Sequence, residues 1–314
     1  MSTDNQSQIQ TVTGPLPPEQ VTLADAHSHV WLNPPKGVNP KARFELNDPR
    51  RIEAELKDFR SAGGNLLVDC QPGGCGRNAR MLAKLAEAAE LHITAVTGFH
   101  LARYYPAGHW LWTADEKSAA AFFINELTAG LQEKEGALAA AIKVGFDGKI
   151  EGQTRVLMEA AAEAARQSGA GILFHTEAGF NAEALPLFFE DRGVAAGRLF
   201  LCHLDQRPDI GLHRELAQAG LLLGYETFNR PLSKPEKNVW PLLLQMVRAG
   251  YAAHIAIGLD AARSNRWRHY GGGPGLVFLP DAILPRLHHE GLSETEVAAL
   301  TGQNVARFLA RPVA

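Results

Sequence analysis

The chain has 314 residues, 46% of them apolar and 21% charged, and a formal net charge of -3 when its 12 histidines are neutral. This composition indicates a globular protein with a large core and excludes a disordered, collagen-like or coiled-coil chain. The nearly balanced charge offers no broad basic surface, so no nucleic-acid partner is expected. Three scattered cysteines argue against a disulfide framework, and the first fifteen residues lack the pattern of a signal peptide. With no apolar run of about 20 residues, the sequence predicts a cytoplasmic protein without a membrane segment.

Eight short apolar runs recur along the chain and predict eight strands. They are VTLADAHSHVWL from Val21, NLLVDC from Asn65, HITAVTGF from His92, ALAAAIKVGF from Ala137, GILFHTE from Gly171, RLFLCHL from Arg198, LLLGYE from Leu221 and HIAIGLD from His254. The stretches between them carry apolar residues at helical spacing, and several end in glycine. Strand and helix therefore alternate through the chain.

Eight such units favour an α/β protein with a single (β/α)8 TIM barrel, because apolar parallel strands must be covered by helices on the outside. The lack of a GxGxxG motif after the first strand disfavours a dinucleotide-binding fold. Residues 1–20 are predicted to form an N-terminal arm and residues 21–314 the barrel domain. The polar loops after strands seven and eight are expected at the active-site end.

Polar side chains near the ends of these apolar strands indicate where chemistry occurs. Taken singly, each has an ordinary explanation: two strand histidines can make buried hydrogen bonds, a lysine can reach solvent, and an aspartate can cap a helix. A barrel, however, brings the carboxyl ends of its strands together around one axis, so that the set would converge and bind metal. The set comprises His27 and His29, which share one face of the first strand, with Lys143, His175, His203 and Asp260. Tyr225 and Glu226 are predicted either to line the site or to begin a loop.

Longer motifs support a specific resemblance. Along nearly the whole chain these are GPLPPEQVTLADAHSHVWL, GRNARMLAKLAEAAELHITAVTGFHLARYYP, IKVGFDGKI, FHTEAGF, CHLDQ, IGLDAAR with YGGGPG, and TGQNVARFL. Their order and spacing resemble the phosphotriesterase-related branch of the amidohydrolase superfamily, which contains the bacterial phosphotriesterases and the phosphotriesterase-like lactonases. The resemblance implies two divalent metal ions. It places His27, His29 and Asp260 on the more buried ion, His175 and His203 on the more exposed ion, and Lys143 between them as a carboxylated lysine.

The chemistry of such a centre follows from its charges. An ammonium group cannot bind a metal, but a neutral amine that adds carbon dioxide becomes a carbamate with two oxygens and one negative charge. Two cations with a bridging hydroxide would polarise the substrate carbonyl, and Asp260 would accept the proton of the water and pass it to the leaving group. Zinc is expected, with manganese, iron or cobalt as alternatives, because such ligands accept several metals.

The substrate is predicted to be a small molecule, namely a lactone, and an anionic or phosphorylated sugar lactone would suit the basic loops. The alternative substrates are an amide or acyl ester and a phosphotriester. The alternative function without catalysis is a binding protein that a structural metal stabilises. The chain departs from the family pattern at Ser28, where an acidic residue is usual, and after Thr97 and Gly98, where lactonases carry an aromatic. Candidate substrate contacts are His100, Tyr104, Lys234, Arg263 and Arg266. A homodimer is expected.

Overall fold

The computed structural model describes residues 7–312, in which parallel strands alternate with helices. The strands are β1 (Ile9–Thr11), β2 (Gly14–Leu16), β3 (Ala24–Ser28), β4 (Leu66–Asp69), β5 (His92–Thr94), β6 (Val96–Phe99), β7 (Gly130–Leu131), β8 (Lys134–Glu135), β9 (Ala141–Phe146), β10 (Gly171–Thr176), β11 (Leu199–Cys202), β12 (Leu222–Tyr225) and β13 (Ile255–Ile257). The helices are α1 (Pro49–Ser61), α2 (Ala79–Ala89), α3 (Glu116–Thr128), α4 (Gly152–Ser168), α5 (Ala184–Glu190), α6 (Ile210–Gln218), α7 (Val239–Arg248), α8 (Leu284–His289), α9 (Glu294–Ala298) and α10 (Asn304–Leu309).

The parallel strands occupy eight positions around a barrel. One ladder joins β3, β4 and β5, and a second runs from β6 through β9, β10, β11 and β12 to β13. Only Ala95 separates β5 from β6, so the third predicted strand is a single strand that changes ladder at this residue. Past the end of β13, the Asp260 N–H donates to the His27 carbonyl at 2.8 Å and brings the last strand to the first. The predicted (β/α)8 barrel is thus confirmed, although the observed strands are shorter than the predicted runs.

The helices form because local sequence signals agree with burial of one face. Helix α1 begins after Asp48, whose side chain accepts hydrogen bonds from Arg50 N and Arg51 N and so satisfies two free helix donors. Its apolar side chains recur at the spacing that places them on one face, and Ile52, Leu56 and Phe59 are buried. None of the described helices is both long enough and apolar enough to cross a bilayer.

Two apolar clusters make up the core. The larger one fills the space between the strands and the outer helices. The smaller one contains side chains along the barrel strands, from Leu66 at the start of β4 to Cys202 at the end of β11, together with Ile9 and Leu16 of the β1–β2 hairpin and Phe308 of α10. Within the predicted N-terminal arm the hairpin therefore closes the end of the barrel opposite to the strand carboxyl ends, while residues 1–6 lie outside the described residues.

Candidate active site

A pocket opens at the carboxyl ends of the barrel strands. It has a volume of about 750 Å³ counted out to its open mouth, a size suited to a small-molecule ligand. The predicted residues that line it are His29, His100, Tyr104, His175, His203, Asp260 and Arg263. The pocket therefore lies where the alternation of strands and helices predicts the active site.

On one side of the pocket floor, two histidines face an aspartate. His27 is the last residue but one of β3, His29 follows the strand, and the centroids of their rings are 5.6 Å apart. The Nε2 atom of His27 lies 3.9 Å from Asp260 Oδ1, and the Nε2 atom of His29 lies 3.6 Å from the same oxygen. These three residues form one of the two groups in the described chain whose ligand atoms all lie within 4.8 Å of one another.

On the other side, His175 of β10 and His203, which follows β11, point at each other. The distance from His203 Nε2 to His175 Nδ1 is 3.0 Å. His203 and Asp260 both adopt left-handed backbone conformations, with φ of 63° and 44°. Such conformations are uncommon for residues other than glycine and often occur where a side chain must be directed into a site.

Lys143 lies beneath these histidines. It is the third residue of β9 rather than the last, since the strand continues to Phe146, and it is fully buried, which excludes a lysine that reaches solvent. Its Nζ atom has no hydrogen-bond partner within residues 7–312. Its charge is close enough to lower the pKa of His27, although burial has the larger effect. An unpaired buried ammonium is costly, which is the condition expected of a lysine that is modified or faces a compensating charge.

Each of the four histidines uses one ring nitrogen to contact a polar side chain. His27 Nδ1 lies 3.2 Å from Glu226, His29 Nδ1 lies 3.1 Å from Gln71, and His203 Nδ1 lies 3.2 Å from Glu226. His175 Nε2 lies 3.4 Å from Glu177. The other nitrogen of each ring is left to face the centre, and His27 Nε2 has no hydrogen-bond partner within the described chain. The hydrogen bonds of His27, His29 and His175 are of the kind that typically holds metal-binding histidines, whereas His203 Nδ1 lies near Glu226 without a hydrogen bond.

The histidines are neutral at neutral pH because burial opposes their protonation. Burial lowers the pKa of His29, His175 and His203 to about 4, and it lowers the pKa of His27 well below its ordinary range. A neutral imidazole offers a lone pair, whereas an imidazolium offers none. The four rings are therefore prepared to bind a cation without first losing a proton.

Asp260 is ionised and pairs with Arg230 instead of capping a helix. Burial by itself would raise the pKa of Asp260, but the charge of Arg230, its hydrogen bond to the carboxylate and the neighbouring histidines together outweigh burial and hold the pKa well below its usual range. Arg230 Nη2 donates to Asp260 Oδ2, and both side chains line the pocket. The carboxylate is thus available as a ligand and as a proton acceptor.

Three of the five predicted substrate contacts line the pocket, and two do not. His100 and Tyr104 stack at one wall, with ring centroids 4.3 Å apart, and Arg263 lies across the pocket with its guanidinium 4.5 Å from the centre of the Phe44 ring. Arg266 is half-buried and donates to Asn229 Oδ1 at 3.1 Å, and it does not line the pocket. Lys234 is exposed and also lies outside the lining.

Three residues of the site were not predicted from the sequence, and the role of a fourth was left undecided. Gln71, Glu177 and Arg230 were not predicted, and Glu226 was predicted either to line the site or to begin a loop. Glu177 follows His175 by two residues in the HTE motif, so the strand period was a usable signal for it. Arg230 lies in a basic loop that was already expected at this end, but nothing in the sequence distinguishes it from Lys234.

Comparisons with known proteins identify the family. The model of the phosphotriesterase family matches residues 7–309, so the chain belongs to this family. It is 26% identical over 320 residues to a phospho-furanose lactonase from Mycoplasmopsis synoviae, with 96% of this chain and 91% of the relative covered. It is 27% identical over 353 residues to an N-acetyltaurine hydrolase from Xenopus tropicalis, with coverage of 96% and 97%.

A solved structure supports the fold. The crystal structure of a lactonase from Listeria monocytogenes matches with a TM-score of 0.89 at 24% identity, covering 96% of this chain and 98% of that one. The chain is accordingly a hydrolase of the phosphotriesterase family, and the resemblance drawn from the sequence motifs is confirmed.

Proposed function

We propose that the protein is a binuclear metal-dependent hydrolase of lactones. The observation that carries this proposal is the convergence of four neutral histidines and one ionised aspartate above a buried lysine whose amine lacks a partner. Nitrogen and carboxylate ligands in this number exceed what one tetrahedral ion needs. The name of the relative from Mycoplasmopsis synoviae supports a lactone as the substrate.

The residues divide into two sets around the proposed centre. His27, His29 and Asp260 would hold one ion, and His175 and His203 the other. Lys143 would bridge the two as a carbamate formed with carbon dioxide, which would turn an unpaired buried cation into a paired anion. Zinc is the metal that the ligand types favour, as borderline-soft nitrogen donors predominate. When bound, two such cations would polarise the carbonyl and lower the pKa of water.

Residues of the chain would carry the proton. Water adds to the lactone carbonyl carbon, the ring C–O bond breaks, and the product is a hydroxy acid. The ionised carboxylate of Asp260 is positioned to accept the proton that the water loses and to deliver it to the departing alkoxide. Arg230, which contacts the same carboxylate, keeps it ionised before the substrate arrives.

The metal content tests the centre directly. Protein reconstituted with excess zinc and bicarbonate is expected to retain two ions per chain, measured by elemental analysis after removal of free metal. As a control, His92→Asn should also retain two, because His92 begins β5 at the opposite end of the barrel. A reproducible value of one ion per chain would contradict the binuclear centre.

The basic side chains of the pocket indicate an anionic substrate. Arg230 and Arg263 both line the pocket, whereas Lys234 and Arg266 do not. We infer that an anionic group of the substrate, such as a phosphate, contacts Arg263. A charge-assisted hydrogen bond of this kind contributes about 1.5 to 3 kcal/mol, which corresponds to about one to two orders of magnitude in kcat/KM.

A substrate panel tests the proposed activity. The zinc-loaded protein is expected to hydrolyse an anionic lactone faster than its neutral analogue and faster than matched amides and phosphotriesters. Arg263→Ala should raise KM for the anionic lactone selectively, whereas Lys234→Ala, outside the pocket, should leave it unchanged. Equal losses on charged and neutral lactones would refute the anion contact. Preferred hydrolysis of an amide would instead support the activity named for the relative from Xenopus tropicalis.

A further inference from the structure

Glu226 contacts both halves of the proposed metal centre. It follows β12 directly and is fully buried. Its Oε1 atom lies 3.2 Å from His27 Nδ1, and its Oε2 atom accepts a hydrogen bond from the His203 backbone N–H at 2.6 Å. The same Oε2 atom lies 3.2 Å from His203 Nδ1, in a geometry that makes no hydrogen bond. One carboxylate therefore touches one histidine from each proposed ion.

The neighbouring strand holds Glu226 in place. Asp205, just after β11, accepts hydrogen bonds from the backbone N–H groups of Glu226 and Thr227 at 3.1 and 2.8 Å. It also accepts from the Thr227 hydroxyl at 2.5 Å. These contacts hold the backbone at Glu226 with groups of the chain itself.

Two glycines leave the space that the Glu226 side chain and His27 occupy. A Cβ atom at Gly224 would lie 2.4 Å from Glu226 Oε1, and a Cβ atom at Gly258 would lie 2.8 Å from the His27 backbone nitrogen. Both distances are shorter than carbon atoms tolerate. A larger residue at either position would displace the carboxylate or the histidine, so the contact between them requires glycine at both.

We propose that Glu226 is a positioning residue that orients His27 through its ring and His203 through its backbone, and thereby links the occupancy of the two ion positions. The Oε1 atom of Glu226 faces His27 Nδ1 as an acceptor and so favours a proton on that atom, which leaves the lone pair of His27 Nε2 pointing to the centre. The hydrogen bond to the His203 backbone N–H holds the left-handed backbone that directs the His203 ring toward the same centre. The proposal rests on the proposed metal centre, and removing an outer acceptor of this kind typically weakens metal binding about 10- to 100-fold.

Glu226→Gln provides the main test, because it keeps the shape and replaces one acceptor oxygen by a donor. The variant is expected to bind both zinc ions about 10- to 100-fold more weakly than the wild type in a chelator competition. Glu177→Gln is the matched control, since Glu177 contacts only His175 among the four histidines, and it should weaken one ion at most. Loss of a single ion in Glu226→Gln, or unchanged affinity for both, would overturn the proposal.

Nitrogen NMR of the histidine rings gives a readout that needs no metal. Spectra of the metal-free wild type and of metal-free Glu226→Gln are recorded at the same pH. His27 is expected in the Nδ1–H form in the wild type and in mixed forms in Glu226→Gln, because its ring is hydrogen-bonded to Glu226. An identical His27 tautomer in both proteins would refute the role of Glu226, whereas a wild type that binds no zinc would refute only the proposed function.

Glu226→Asp provides a second variant if Glu226→Gln fails to fold. The shorter side chain keeps a carboxylate but cannot reach His27 Nδ1 and the His203 backbone N–H together, so weaker binding of both ions is again expected. Wild-type affinity for both ions in a folded Glu226→Asp protein would contradict the proposal.

Discussion

Lys143→Ala is expected to lose most bound metal and nearly all hydrolytic activity. If Lys143 is a carbamate that bridges two ions, the change removes one negative charge and a ligand from both. Elemental analysis and turnover of an anionic lactone would measure the two losses. Lys149→Ala is the matched control, because Lys149 is exposed in the loop after β9 and its removal should change neither quantity.

Two further measurements separate the loss of the bridge from a loss of folding. Lys143→Met retains the buried stem, so it should fold without the cavity that alanine leaves and still bind little metal. A short-chain carboxylic acid added to Lys143→Ala should supply two oxygens in the vacated space and restore part of the metal binding and turnover. Full activity of either variant without an added acid would rule the carbamate out.

Asp260→Asn is expected to lower kcat by at least about 100-fold while leaving the fold intact. The amide keeps the shape of the side chain but cannot accept the proton of the attacking water, and general acid–base catalysis is worth about 100- to 10,000-fold. Steady-state kinetics on the zinc-loaded variant would measure the loss. Near-native kcat in a variant with full metal content would refute the role of Asp260 in proton transfer.

A control aspartate on the same face of the barrel makes the result specific. Asp147 lies in the loop after β9 and is exposed, so Asp147→Asn should retain wild-type kcat. Because Arg230 and the neighbouring histidines together outweigh the effect of burial and hold the pKa of Asp260 well below its usual range, Asp260 stays ionised throughout the neutral range. Protonation of this carboxylate should therefore not limit the rate at neutral pH.

The barrel and its polar strand ends could be predicted because both depend on local periodicity. Apolar runs that alternate with stretches of helical spacing indicate parallel strands covered by helices. This pattern is visible in the sequence alone, because it does not depend on any long-range contact. The geometry of a barrel then places side chains from the strand ends, such as His175 and Asp260, around one axis. Strand lengths were less predictable, since hydrogen-bonded pairing ended the first strand at Ser28, well before the apolar run ends.

The surroundings of the predicted ligands came only from the tertiary structure. Glu226 lies 199 residues from His27 along the chain and Gln71 lies 42 residues from His29, so neither contact leaves a local pattern. Likewise, Arg230 and Lys234 belong to one basic loop, and only its folded path turns Arg230 into the pocket and leaves Lys234 exposed. The sequence by itself determined the barrel and the candidate ligands, because periodicity and residue chemistry are local properties. The tertiary structure decided which side chains orient those ligands and which cations face the substrate, because those contacts depend on how distant loops pack across the strand ends.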